Sequence, residues 1–279
     1  MSKDLGKEVI NSDVVEESEQ DVNAIIDNMT LFDDDLMSRV FDKNIPATEL
    51  ILRIILGRNI KVLNVHGQVE KKNPNPHGRN IKLDIEAIDV DGSHINIEVQ
   101  GNAKGAHVKR ARYHSGMIDS GLLEENQDFR KIKDSYVIFI YKHDKFKKGF
   151  PIYHIDRYVR ETGEAFDDGS HIIYVNGKYK GNDDIGKLMQ DFHCKSSAKM
   201  QFEELADGVR HFKETEEGRD IMCEAVEKYG NKREKKGEEN TKIEIFLNMI
   251  KDGIPKEKAQ KLAAISDALV EKALGMKKA

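Results

Sequence analysis

Two carboxylates facing each other across a β-hairpin are the residues of this chain best suited to chemistry. Residues 81–89 alternate Ile81, Leu83, Ile85 and Ala87 with Lys82, Asp84 and Glu86. Residues 93–100 alternate Ile95, Ile97 and Val99 with His94, Asn96, Glu98 and Gln100. This is the period-two pattern of strands with one apolar and one polar face. Asp91-Gly92 stands between them as a turn signal. A two-residue loop would set Asp84 opposite Val99, a carboxylate across from a core position. A three-residue loop, Val90-Asp91-Gly92, instead aligns Leu83 with Val99 and Ile85 with Ile97, so the apolar faces coincide. That register places Asp84 opposite Glu98, Lys82 opposite Gln100 and Glu86 opposite Asn96, with facing Cβ atoms about 4.5–5.5 Å apart.

Directly opposed carboxylates repel, and a sheet built for stability alone avoids them. A hard divalent cation removes the repulsion. Asp84 and Glu98, with the carbonyl of Val99, would supply oxygen ligands for Mg²⁺ or Mn²⁺ and leave positions for water and a phosphate oxygen. The plainer alternative is a polar face in solvent, its charges relaxed by Lys82. A second cluster follows within eleven residues that contain no acid: Lys104, His107, Lys109, Arg110, Arg112 and His114. In a chain of net charge −5 this is a local basic strip, suited to neutralising phosphates beside a metal. Its plainer reading is a solvated helix face.

The elements that must carry these residues can be read from periodicity. Leu36, Met37, Val40 and Phe41 indicate one helix, and Leu50, Ile51, Ile54, Ile55 and Leu56 a second, buried one that stops at Gly57. Strands are expected over 60–70, 81–89 and 93–100, and a helix over 105–123 with Val108, Ala111, Ser115, Ile118 and Leu122 on its apolar face. A buried strand is expected over 136–141 and shorter ones over 151–159 and 171–175. Residues 186–240 are densely charged, the composition of a solvated helix or linker. Near the end, Ile243, Ile245, Phe246, Met249 and Ile250 precede Gly253. Pro255 then opens a helix holding Ala259, Leu262 and Ala263, and Ser266 can cap a last one with Leu269, Val270 and Leu274.

Composition narrows the classes. The 279 residues are 38% hydrophobic and 34% charged, and no apolar stretch approaches the roughly 20 residues that span a bilayer. Met1 to Glu8 lacks the apolar core of a signal peptide, so a cytoplasmic location and no membrane partner are expected. Cys194 and Cys223 have neither disulfide-framework nor zinc-ligand spacing.

Five groups of residues, in this order, resemble a known family. They are Asp34-Asp35-Leu36-Met37-Ser38-Arg39-Val40-Phe41; Glu49-Leu50 through Ile55-Leu56-Gly57; Leu83-Asp84 with Asn96-Ile97-Glu98-Val99-Gln100; Arg110-Ala111-Arg112-Tyr113-His114-Ser115; and Ser135 to Ile140. Over about residues 30–180 the chain looks like the transposase-associated branch of the PD-(D/E)XK nucleases, also called recombination-promoting nucleases. The resemblance implies an α/β (α+β) fold, a restriction-endonuclease-like core with a central mixed sheet flanked by helices, plus a helical C-terminal extension. Composition gives an acidic flexible tail over 1–28; the resemblance implies the nuclease-like domain over 29–183, a charged helical or linker region over 184–240, and a small helical segment over 241–279. It further implies a Mg²⁺- or Mn²⁺-dependent endonuclease hydrolysing phosphodiester bonds in DNA, associated with transposition or recombination. Asp84 and Glu98 fall on the metal-binding acids, and Gln100 on the motif lysine, a departure that is common in this branch. Lys82 is then the candidate substitute cation. Glu49 is the first candidate, and Asp34 the second, for an acid contributed by the first helices. Lys104, Lys109, Arg110, Arg112 and His114 would bind DNA. Self-association is left open. The alternative is a weak or inactive nucleic-acid-binding or interaction module on the same fold; a purely structural helical adaptor would explain the tail but not the hairpin.

Overall fold

The alternation in residues 60–100 produces three consecutive antiparallel strands, and the apolar runs that follow extend them into one sheet. The computed structural model describes residues 22–275; the acidic stretch 1–21 lies outside the described residues. Backbone contacts divide the chain into two units, Met1–Met222 and Cys223–Ala279. The first unit opens with helix α1 over residues 22–28, then α2 (Asp34–Phe41) and α3 (Ile45–Leu56). Residues 22–28, which composition assigns to the acidic tail, are helical, and Ile26 is buried. One buried apolar residue on a short helix with polar partners (Arg219 holds Asn23 and Asp27) leaves little trace in composition.

Strands β1 (Val62–Lys71), β2 (Ile81–Asp89) and β3 (His94–Gln100) precede helix α4 (Val108–Asp119). After it come β4 (Ser135–Tyr141), β5 (Ile152–Ile155) and β6 (Ser170–Asn176). They form a six-stranded mixed sheet in the order β1-β2-β3-β4-β6-β5. The β1–β2, β2–β3 and β5–β6 pairs are antiparallel; β3–β4 and β4–β6 are parallel. The parallel centre needs helices on both faces. Accordingly, α4 lays Ala111 and Ile118 on Val137, Phe139 and Tyr174. Helices flanking the sheet thus give the expected restriction-endonuclease-like α/β architecture.

The densely charged region beyond residue 183 contains α5 (Asp184–His193) and α6 (Glu203–Glu214). Both are packed elements of the first unit: Ile185, Leu188, Met189 and Phe192 on α5, and Leu205, Ala206 and Val209 on α6, are buried. Helix α7 (Glu216–Lys251) follows, running through the lysine- and glutamate-rich stretch. In the second unit, Ile243 and Phe246 of α7 share a core with Ala259, Ala263, Ile265, Val270 and Ala273 from α8 (Lys256–Leu262), α9 (Asp267–Gly275) and the turn between them. Gly253 takes the left-handed conformation that ends α7 (φ +83°). Among the described residues, no helix is long and apolar enough to cross a membrane.

The β2–β3 hairpin has the three-residue loop that the alternation requires. Asp89 N–H donates to the Ser93 carbonyl (3.2 Å), Ile85 pairs with Ile97 and Glu86 with Asn96, and Gly92 adopts φ +83°. A Cβ on Gly92 would make only ordinary contact with the Lys133 side chain, 3.5 Å away, so the cost of a substitution is conformational. Gly92→Ala should destabilise the first unit by about 1 kcal/mol, read as a lower urea midpoint at unchanged slope. An unchanged midpoint would show that the loop relaxes to another conformation at no cost.

Candidate active site

At the end of the hairpin remote from its loop, β2 and β3 separate, and carboxylates take the hydrogen bonds that the ladder gives up. The last ladder pair is Ile85–Ile97. The alternation predicts a Leu83–Val99 pair next; instead Val99 N–H donates to Asp84 Oδ2 (3.0 Å), and Asp84 N–H donates to Glu98 Oε1 (3.3 Å). Asp84 and Glu98 therefore bridge the widening gap reciprocally. Glu98 is 0% exposed and Asp84 8%. Burying two carboxylates is expensive without compensation. Burial, then the charges of Glu98 and Asp34, push the Asp84 carboxyl up to about 8, against weaker lowering by the Val99 N–H bond and Arg110.

Helix α4 supplies the compensation. Arg110 Nη2 lies 2.6 Å from Glu98 Oε2, and Arg110 Nη1 donates to the Gly105 carbonyl (3.3 Å). His114 sits one turn on, its Nδ1 3.5 Å from Glu98 Oε1 and 3.1 Å from the Asn96 amide, its Nε2 accepting from Arg110 Nε (3.2 Å). That last bond puts the proton of a neutral His114 on Nδ1, aimed at the Glu98 carboxylate. His114 and Asn96 are both buried. The part of the polar face formed by Asp84, Asn96 and Glu98 is thus covered by α4 and buried, while Lys82 stays exposed.

The expected site residues divide into groups. Asp84, Glu98 and Gln100 are brought together, with Gln100 Nε2 donating to Asp84 Oδ2 (3.3 Å). Lys82 is exposed and lines one groove with Gln100, Arg110 and His114, although the ladder does not extend to a Lys82–Gln100 pair. Glu49 is not brought to the site. Its Oε1 accepts from Val62 N–H (2.9 Å), and Val62 pairs with Asp89 at the hairpin-loop end of β2. Sequence order placed Glu49 next to the first strand, and it does bind that strand, but at the far end. The helix acid that senses the pair is Asp34 on α2. Burial, then Asp35, raise its pKa; Lys82 and Arg110 lower it, and Glu98 raises it. His114 is a buried partner of Glu98, not an exposed phosphate contact, and Arg110 is tied to the same carboxylate. Lys104, Lys109 and Arg112 are exposed and line the groove, joined by Arg79, which the sequence reading missed. Among the described residues, none that lines the groove, of roughly 890 Å³, is an acid.

Gly105 explains how Gln100 is held. A Cβ there would fall 1.6 Å from Gln100 Oε1 and 2.6 Å from its Cδ, so the Gln100 amide occupies space that only glycine leaves open. Among the described residues no three His, Cys, Asp or Glu side chains form a ready-made metal cage. The donor set that would hold a cation is two hard carboxylates, Asp84 and Glu98, brought together by the parting strands. This suits Mg²⁺ or Mn²⁺, which retain several waters, better than softer metals. Residues 49–182 match the family described as PD-(D/E)XK nuclease family transposase. No curated protein and no solved structure matches the chain.

The raised Asp84 pKa has a definite sign in stability. The carboxyl is protonated in the folded protein up to about pH 8 but titrates near its ordinary value when unfolded. Its favourable contribution is complete below that value and is lost as pH rises through 8. In EDTA the melting temperature should therefore fall between pH 5 and pH 8.5, and Asp84→Asn should flatten that fall. An equally steep fall in Asp84→Asn would assign it to other groups.

Proposed function

Because residues 49–182 belong to the PD-(D/E)XK nuclease family transposases, we propose that this chain is a divalent-metal-dependent endonuclease that hydrolyses DNA phosphodiester bonds during transposition or recombination. The observation that carries the reading is the pair of buried, mutually destabilising carboxylates, Asp84 and Glu98, beneath a groove lined by cations and no acid. Replacing a buried ionic cluster as a whole by apolar residues is often neutral or stabilising, so keeping the pair is weak as a device for stability alone.

In this reading Asp84 and Glu98 hold Mg²⁺ or Mn²⁺, with the Val99 carbonyl as a further oxygen donor. The bound cation supplies Lewis acidity toward the scissile phosphate and lowers the pKa of a water. Lys104, Lys109, Arg112 and Arg79 hold the DNA backbone over the acids by charge, without reading base edges. Gln100, in the position of the motif lysine, has no positive charge to offer the phosphate. Lys82 across the groove is the candidate cation, and its flexible stem allows it to reach a bound phosphate. Arg110 neutralises Glu98 while no cation is present.

One feature favours a second reading, an inactive binding module. Asp84 and Glu98 are absent from the groove lining, lying beneath Gln100, Arg110 and His114. A cation must therefore displace the Arg110–Glu98 contact to enter. Metal binding separates the readings: millimolar Mn²⁺ should raise the melting temperature by mass action, and the double change Asp84→Asn, Glu98→Gln should abolish the rise.

Activity is tested by nicking of supercoiled plasmid with Mg²⁺, Mn²⁺ or EDTA. Cleavage should require metal and vanish in the double variant; metal-independent cleavage, or none, would overturn the reading. Lys82→Ala should keep the metal-induced stabilisation and cut the rate by about a hundredfold. Equal rates at saturating Mn²⁺ would leave water activation to the metal alone.

A further inference from the structure

The segment that leaves β4 is a second basic surface, distinct in sequence from the strip on α4. Residues 142–150 read Lys142-His143-Asp144-Lys145-Phe146-Lys147-Lys148-Gly149-Phe150. Their single acid is bonded within the loop. Asp144 Oδ1 accepts from Phe146 N–H (3.1 Å), Lys147 N–H (2.9 Å) and the Tyr153 hydroxyl (2.7 Å), while Oδ2 accepts from Gly149 N–H (2.8 Å). One carboxylate thus gathers three backbone donors and a phenol. Lys147 is held at φ +55° and Gly149 at φ +76°. A lysine in the left-handed region persists only where its surroundings fix it, so this is a built loop with Lys147 and Lys148 exposed at its tip.

Its position relative to the candidate site is also fixed. Lys142 N–H donates to the Gln100 carbonyl (2.9 Å), and Tyr141 is the register partner of Gln100. Phe146 packs edge-on against Tyr174 (5.6 Å between ring centres), and Tyr174 stacks on Phe139 (5.1 Å). Phe139 lies 6.2 Å from His114, which touches Glu98. A continuous row of rings therefore joins the loop to the carboxylate pair, on the side of the sheet that α4 covers.

We infer that residues 142–150 are a second DNA-backbone contact, in which Lys147 and Lys148 hold phosphates of a duplex whose adjoining stretch occupies the groove under Lys109 and Arg112. This rests on the nuclease reading and adds to it a substrate footprint. Three features support it. The only acid of the loop, Asp144, stays ionised but is taken up by the loop's own N–H groups and Tyr153, and four lysines outnumber it, so the loop is net positive. The loop is preorganised, so little ordering is lost on binding. It also abuts the strand end that carries Gln100, in a chain that is otherwise net acidic. Lysines presented on a loop act as point charges, which suits phosphate and not base-edge recognition.

The test is fluorescence anisotropy of a short labelled duplex in EDTA over a range of salt, with the full chain. The variants are Lys147→Asn with Lys148→Ala, and separately Lys109→Ala with Arg112→Ala; asparagine at 147 preserves tolerance of the left-handed backbone. The loop variant should lose roughly tenfold affinity per contact at 0.1 M salt and reduce the slope of log K against log salt by about 0.9 per lysine. Its loss should be the same for unrelated sequences, and its Mn²⁺-induced melting shift should equal that of the wild type, which marks an intact fold and site. Wild-type affinity and slope in the loop variant, alongside a weakened groove variant, would overturn the inference and leave the nuclease reading standing. A wild-type protein that binds no duplex would overturn both.

Discussion

The structure turns on two carboxylates enclosed where β2 and β3 part. Burial and the charges of Glu98 and Asp34 push the Asp84 carboxyl up to about 8, so near neutral pH the enclosed pair is a charged Glu98 beside a protonated Asp84. Such a pair persists only with compensation arranged around it. The Val99 and Asp84 N–H groups, released from the ladder, each bond to one of the acids, Arg110 faces Glu98 with a full charge, and His114 stands between Glu98 and Asn96. The position of α4, and through it the packing of Ala111 and Ile118 on the central strands, is bound up with that compensation. Separation of the strands is therefore part of the site, since an unbroken ladder would leave no gap to fill.

The hairpin register was legible because, of a two- and a three-residue loop, only the three-residue one keeps both apolar faces together. Its limit was equally physical. Alternation assumes a ladder that continues, whereas past Ile85 the bonds pass from backbone to side chains, and no pattern of residue types announces that exchange. Glu49 and Asp34 illustrate a second limit. Both are acids of helices ahead of the sheet, and sequence proximity to the first strand favoured Glu49. The decision lay in which end of β2 each helix approaches, a three-dimensional fact: Glu49 binds Val62 near the hairpin loop, while Asp34 senses Glu98 and Lys82.

The basic strip shows how one composition can conceal two roles. Lys109 and Arg112 face outward, whereas Arg110 and His114, one helical turn apart, face the acids. The i, i+4 spacing of Arg110 and His114 was the available signal that these two share a face. The region beyond residue 183 concealed structure in a similar way, since α5 and α6 each bury a narrow apolar stripe that a high density of lysine and glutamate masks when averaged over a long segment.

Gly105 and Gln100 have a consequence for how this chain can change. The glutamine amide lies where any side chain at 105 would begin, so the two positions are not free to vary independently. A shorter residue at 100 would release 105 from its restriction, whereas a larger residue at 105 would first have to evict the amide from its bond to Asp84. A side chain at 105 therefore has to turn the flexible Gln100 amide away from Asp84, so what position 105 accepts depends on the residue at 100.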